Sequence, residues 1–229
     1  MCGRFAQTAP PETLVQLFKL VEGVCITPRF NLAPTQPIVT IRETGVGRIA
    51  THHRWGFVPP WSADLKQGAR LINARAETIF EKRTFAQAAR HSRCVIPASG
   101  FYEWQPSPTG KQPTLFTPQE AEIFRFAGLW STWADTQGTV VYTATILTTT
   151  PNETMRPYHH RMPVILDAVG TEQWLDTHQT SAQQIQPLLV PAPDNAITHR
   201  RVSQRVNSVH NDDPQCMAPL EHPTEEPQC

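Results

Sequence analysis

With 229 residues, 39% of them hydrophobic and 17% charged, the chain has the length and composition of a folded domain with a substantial core. It holds no run of about eighteen apolar residues, and the basic and apolar regions of a secretory signal are missing from its start. These features argue against a membrane partner and lead us to expect a cytoplasmic protein. Net charge is zero, yet residues 1–111 carry 14 Lys+Arg against 7 Asp+Glu (+7), and residues 112–229 carry 6 against 13 (−7). A basic N-terminal half suits an anionic substrate, unless the fold interleaves the two halves and cancels the field.

The chain opens Met1-Cys2-Gly3-Arg4-Phe5. If Met1 is removed, Cys2 carries a free α-amine beside its thiol, and this 1,2-aminothiol condenses with an aldehyde to close a thiazolidine ring. The amine titrates near ~7.7–8.0 and the thiol near ~8.5, so both are partly nucleophilic at neutral pH. The other cysteines (Cys25, Cys94, Cys216, Cys229) are widely spaced with no CxxC, so neither a disulfide framework nor a structural zinc is indicated. His52-His53 and His159-His160 are adjacent pairs, and strand neighbours point to opposite faces. No metal site and no cofactor are expected.

Pro10-Pro11-Glu12 reads as a helix start with Leu14, Leu17 and Phe18 on one face. A proline-rich loop from Pro28 to Pro37 precedes two strands, Ile38–Ile41 and Ile49–Trp55, turning at Gly45-Val46-Gly47. Trp55 reads as core, whereas Pro59-Pro60-Trp61 sets a tryptophan on a stiff, exposed turn. Exposed rings among arginines (Arg4, Arg54, Arg75) form a surface for single-stranded nucleic acid, where rings stack on bases and cations track phosphates.

In Ile72-Asn73-Ala74-Arg75-Ala76-Glu77, an extended backbone puts Asn73 and Arg75 on one face, an amide beside a guanidinium that suits an anionic or carbonyl ligand. On this string alone, Asn73 as N-cap of a helix over Glu77–Arg90 is the simpler assignment. Next comes a strand at Cys94–Pro97, then Ala98-Ser99-Gly100-Phe101-Tyr102-Glu103-Trp104. If Glu103 is held against the aromatic rings, desolvation raises its pKa into the range of a general acid or base. If the aromatics turn inward alone, it points to solvent.

Strand-like runs follow at Thr114–Thr117, Ile123–Trp130 and Val140–Leu147. Tyr158-His159-His160-Arg161-Met162-Pro163 then leads into a strand at Pro163–Leu166, and its histidine and arginine can pair proton transfer with phosphate binding. Helices are expected over Thr171–Thr177 and Ser181–Leu189. This order reads as an α+β fold with a mainly antiparallel sheet. The expected domain covers residues 1–217, with a Pro-, Glu- and Gln-rich disordered tail over 218–229.

Taken in order, Met1-Cys2-Gly3-Arg4-Phe5, Arg29-Phe30-Asn31-Leu32-Ala33-Pro34, Arg54-Trp55-Gly56, Ile72–Thr78, Gly100–Trp104 and His159–Pro163 resemble the SOS-response-associated peptidase (SRAP) family. Val206-Asn207 and Asn211-Asp212-Asp213 are similar to its C-terminal motif. The resemblance spans about residues 1–216. It implies a barrel-like β core with flanking helices and recognition of abasic sites in single-stranded DNA; a monomer is expected, nucleoid-associated when bound. It also implies a covalent thiazolidine cross-link through Cys2, with Met1 removed by the protein's own peptidase activity.

By the same resemblance Asn73, Glu103 and His159 are the remaining catalytic residues. Arg4, Asn31, Pro34, Trp61, Arg75, Thr148 and Arg161 contact DNA. An aspartate often follows the family's histidine where this chain has His160, so His159 is assigned by register. Two rivals remain. A glutamine amidotransferase with an N-terminal cysteine would explain Cys2 but leaves Glu103 and His159 without a role. A non-covalent single-strand-binding module needs no Cys2 at all.

Overall fold

The computed structural model describes residues 2–23, 25–107 and 110–220. In chain order its elements are β1 (Phe5–Gln7), α1 (Pro11–Phe18), β2 (Arg29–Leu32), β3 (Pro37–Thr44), β4 (Gly47–Trp55), β5 (Asn73–Arg75), α2 (Ala86–His91), β6 (Arg93–Ala98), β7 (Gly100–Ser107), β8 (Gly110–Pro118), β9 (Phe124–Ala134), β10 (Val140–Thr149), β11 (Met162–Pro163), α3 (Ala168–Leu175), α4 (Ala182–Ile185) and β12 (Ile197–Arg201). The β-branched and aromatic runs of β3, β4, β6, β9 and β10 pair in the order β10-β4-β3-β6-β9, and β9 returns to β10. The result is a closed five-stranded barrel, antiparallel except where β4 lies parallel to β10 through Thr143↔Arg54 and Ala144↔Trp55. The expected α+β, barrel-like architecture is therefore present.

Both faces of the barrel wall are buried. Ile38, Trp55, Ile96, Phe126, Ala144 and Ile146 fill the interior. Outside, Val39, Ile41, Val95, Leu129 and Leu147 meet Leu14 and Phe18 of α1, Trp174 and Leu175 of α3, and Ile185 of α4. Two-sided cover explains why β6 is buried at every position instead of alternating.

A second sheet, β12-β8-β7-β1-β2, lays Phe5, Phe101 and Phe116 against the barrel interior. Phe5 meets Trp55 edge-on at 4.9 Å. The opposite face (Tyr102, Leu115) is covered by Val202, Val206 and Cys216 of the C-terminal segment.

β4 and β5 occupy the same edge of β10 in succession, and residues 56–72 form an excursion between them. Its neck is tight. Gly56 adopts φ +130°, and a Cβ built on Gly68 would stand 2.4 Å from the Gly56 carbonyl oxygen. Gly68→Ala is expected to destabilise the protein by about 2 kcal/mol, because backbone cannot yield as a side chain does. Urea denaturation checks this.

The structure corrects several expectations, and β2 (Arg29–Leu32) runs within the expected Pro28–Pro37 loop. The helix over 77–90 is confined to Ala86–His91; before it the chain makes a 3-10 turn at Ala76–Thr78 and separate turns in which Lys82 N–H bonds Thr78 O and Phe85 N–H bonds Lys82 O. Burial of Ile79 and Phe85 outweighs the weak helix propensity of the Thr78-Ile79-Phe80 run. The helix beginning at Ser181 ends at Ile185 and continues as a 3-10 turn, Gln186–Leu188, that carries Pro187. Residues 218–220, assigned to the tail, are bonded into the fold: Leu220 N–H donates to Arg201 O at 3.0 Å, and Pro219 bridges Val202. The rest of that tail, 221–229, lies outside the described residues.

Candidate active site

The N-terminal strand runs antiparallel to β7 with Phe5↔Phe101 and Ala6↔Gly100, and Tyr102 N–H donates to Arg4 O at 3.0 Å. Continued toward the terminus, this register brings Cys2 alongside the Glu103–Trp104 segment. From the other side Asn73, the first residue of β5, donates its Nδ2–H to the Cys2 carbonyl at 2.9 Å. Asn73 is therefore not a helix cap. Its own Oδ1 is buried with no donor among the described residues, which leaves an acceptor beside Cys2 for an ammonium or hydroxyl group.

Cys2 is fully buried. Burial, then the Glu103 carboxylate, pushes its thiol pKa well up, against a weaker pull from the Arg4 backbone N–H. Glu103 is 7% exposed, and burial lifts its carboxyl to about 7. Of the two readings left open by the sequence, the desolvated carboxyl is the one observed. At neutral pH it is divided between acid and base forms, as a proton shuttle requires.

His159 lies on the loop after β10, half-buried, while His160 is exposed and stacks on it at 4.3 Å. The loop is docked on β7 by Gln105 Nε2–H donating to Pro157 O. Arg161 N–H donates to His159 Nδ1 at 2.9 Å, which puts the proton of the neutral ring on Nε2. Burial and the neighbouring charges lower the His159 pKa to about 4, so the ring is neutral at pH 7.

The residues assigned to DNA divide by exposure. Trp61 is 56% exposed, with the Arg83 guanidinium 5.0 Å above its ring, and Arg75 is exposed at the end of β5. Pro34 is half-buried in a turn where Gln36 N–H bonds Ala33 O. Arg4 donates to Asn31 Oδ1 (2.7 Å) and Val206 O (2.9 Å) and lies over Trp104, at the edge of a cleft of about 520 Å³ lined by Arg4, Glu103, Trp104, Lys111 and Asn207.

Two of the residues assigned to DNA are buried. Asn31 is fully buried and donates to Val206, Ser208 and Asn211 carbonyls. Thr148 is 1% exposed, and its hydroxyl faces Ala74 O. Arg161 is held in place: it grips Glu77 through two bonds of 2.7 and 2.8 Å, bonds Thr148 O, and keeps the Glu77 carboxyl below its usual pKa. Arg161→Ala is expected to cost about 2 kcal/mol through this bidentate pair alone, apart from any loss of DNA binding. Thermal denaturation without DNA isolates that part.

The sequence reading gave no role to Asp212, Trp104, Asn207 or Lys111. Asp212 accepts from Arg29 Nε and from the Phe30 (2.6 Å) and Asn31 (2.9 Å) amides, clasping the C-terminal motif to β2. The Asn211-Asp212-Asp213 cluster after Val206 was the available signal. Asp212→Ala leaves three donors unsatisfied and is expected to cost about 3 kcal/mol, read as a fall in Tm. Among the described residues no cluster of His, Cys, Asp or Glu could hold a metal ion, and no helix is long and apolar enough to cross a membrane.

Known proteins resemble this chain along most of its length. The family described as SOS response associated peptidase (SRAP) matches residues 1–209. The abasic site processing protein YoqW of Bacillus subtilis is 40% identical over 94% of this chain and 98% of its own length. The abasic site processing protein HMCES of Gallus gallus is 33% identical over 76% of this chain and 58% of its own length. A solved Bacteroides thetaiotaomicron protein, 23% identical, shares the fold with a TM-score of 0.85 over 96% of this chain and all of the other.

Proposed function

The chain belongs to the SRAP family, and from that premise we propose that it processes abasic sites in single-stranded DNA by forming a covalent cross-link through Cys2 once Met1 has been removed. The observation that carries this reading is the meeting of Asn73, Glu103 and the N-terminal strand: Asn73 grips the Cys2 carbonyl at 2.9 Å, and a carboxyl of pKa about 7 is near enough to push the Cys2 thiol up. Arrangements of this kind suit chemistry at an amino terminus, which a binding surface does not need.

While Met1 is attached, the Cys2 nitrogen is an amide and is not nucleophilic. Hydrolysis of the Met1–Cys2 bond, with Glu103 taking a proton from the attacking water and passing one to the departing amine, frees the aminothiol. An abasic deoxyribose exposes an aldehyde when its ring opens, and the Nε2–H of neutral His159 is suited to support the ring oxygen as that bond breaks.

The Cys2 amine adds to the aldehyde, and Glu103 protonates the hydroxyl that leaves as water, giving a Schiff base. The Cys2 sulfur then adds to the same carbon and its proton passes to the ring nitrogen. The sum is aldehyde plus aminothiol giving thiazolidine plus water. In this reading Arg4, Arg75 and Arg161 contact flanking phosphates and Trp61 stacks on a base.

A denaturing gel tests the reading. Protein whose intact mass confirms Met1 removal is mixed with a single-stranded oligonucleotide carrying one abasic site. A heat-stable shifted band, absent with intact DNA, is expected. No band would overturn the covalent step and leave a non-covalent binding module.

A further inference from the structure

Glu103 is backed by a row of side chains that runs across the second sheet. On β8 its direct partner is Thr114, and opposite Thr114 on β12 is Arg201. Directly opposed residues of antiparallel strands project to one face, with Cβ atoms about 5 Å apart. The row two residues away obeys this rule: Phe101 stacks on Phe116 at 5.0 Å, and Phe116 on His199 at 5.5 Å.

Thr114 is 1% exposed, and its hydroxyl has no hydrogen-bond partner among the described residues. A buried hydroxyl left so is unfavourable, and a valine would fill the same volume without that penalty. Directly opposed to it across the strand pair stands Glu103, whose carboxylate is a hydrogen-bond acceptor.

We propose, resting on the reading of Glu103 as the proton shuttle, that Thr114 is its positioning residue. The Thr114 hydroxyl donates to the Glu103 carboxylate and holds the ionised side chain toward Cys2. Such a bond favours the charged form and opposes the effect of burial. The other charged and titratable groups around this carboxylate are the terminal amine, Cys2 and Arg4 of the N-terminal strand and Lys111 of β8; Arg201 of β12 stands opposite Thr114, and His159 feels the charge of the same terminal amine. None is altered by changing Thr114, so a change in titration reports the hydroxyl.

The test compares wild type, Thr114→Val and Thr114→Ser as full chains processed to Cys2. A carbon-13 titration of the Glu103 carboxyl, assigned with Glu103→Gln, is read beside single-turnover cross-linking at pH 6. In Thr114→Val the titration midpoint is expected to rise and the cross-linking rate to fall about 10-fold, the loss of one charge-assisted hydrogen bond, with DNA affinity unchanged. Thr114→Ser is expected to restore both.

A wild-type midpoint in Thr114→Val, or a Thr114→Ser protein as impaired as Thr114→Val, would overturn the proposal. If Thr114→Val does not fold, Thr114→Ala takes its place against Thr114→Ser. A shifted midpoint in a protein whose wild type forms no cross-link would uphold the Thr114–Glu103 bond while removing the DNA chemistry.

Discussion

Cys2→Ala protein mixed with the abasic strand is expected to give no heat-stable band, a loss of at least about 10³-fold in stable product. A thiazolidine needs the sulfur, and alanine keeps only the amine. The amine still forms a Schiff base with the aldehyde, but that adduct hydrolyses on heating. Cyanoborohydride, which reduces the imine, is therefore expected to restore a band in Cys2→Ala. This pair of results separates the two nucleophiles of one residue. Non-covalent binding should weaken as salt rises through counterion release, while the finished cross-link should not. A heat-stable band from Cys2→Ala at wild-type yield, without reductant, would remove the sulfur from the mechanism.

The parts of this protein legible in its sequence are those where local pattern and tertiary role agree. The β3–β4 hairpin follows from alternation around Gly45-Val46-Gly47, and its eight residue pairs run from Pro37↔Arg54 to Thr44↔Gly47. Trp61 after two prolines is exposed as expected, and Trp55 is core. Short strands that exist only by pairing were not legible. Asn73–Arg75 is extended because Ile146, Leu147 and Thr148 offer it an edge, and the polar Ile197–Arg201 because β8 does.

The same limit governs the site. Sequence order aligned Cys2, Asn73, Glu103 and His159 with a family, but the burial of Asn31 and Thr148 comes from contacts 175 or more and 74 residues away, respectively. Charge followed suit. The basic first half and acidic second half are joined by the pairs Arg29–Asp212 and Arg48–Glu172, so the two halves interleave and part of the field cancels.

Glu103→Gln should move stability and activity in opposite directions. The Glu103 carboxyl has a folded pKa of about 7 against an ordinary 4.5, because burial disfavours its charge. A folded value above the unfolded one means that the native state holds its proton more tightly. The resulting stability is fully present below about pH 4.5 and is lost as pH rises through about 7. At about 1.4 kcal/mol for each tenfold change in proton affinity, ionised Glu103 makes the native state about 3 kcal/mol less stable above pH 7 than below pH 4.5.

Glutamine keeps the shape and cannot ionise. In urea denaturation Glu103→Gln should match wild type near pH 4.5 and exceed it by up to about 3 kcal/mol at pH 8. A stability gap that is the same at both pH values would mean that burial of this carboxylate is not what separates the two proteins. The same substitution removes the group that moves protons for the amine and the departing water, so cross-linking at pH 7 should fall about 10²–10⁴-fold. A site that keeps a half-ionised carboxyl under Cys2 thus holds a destabilised native state at neutral pH, and the variant that relieves it should be the one that no longer reacts.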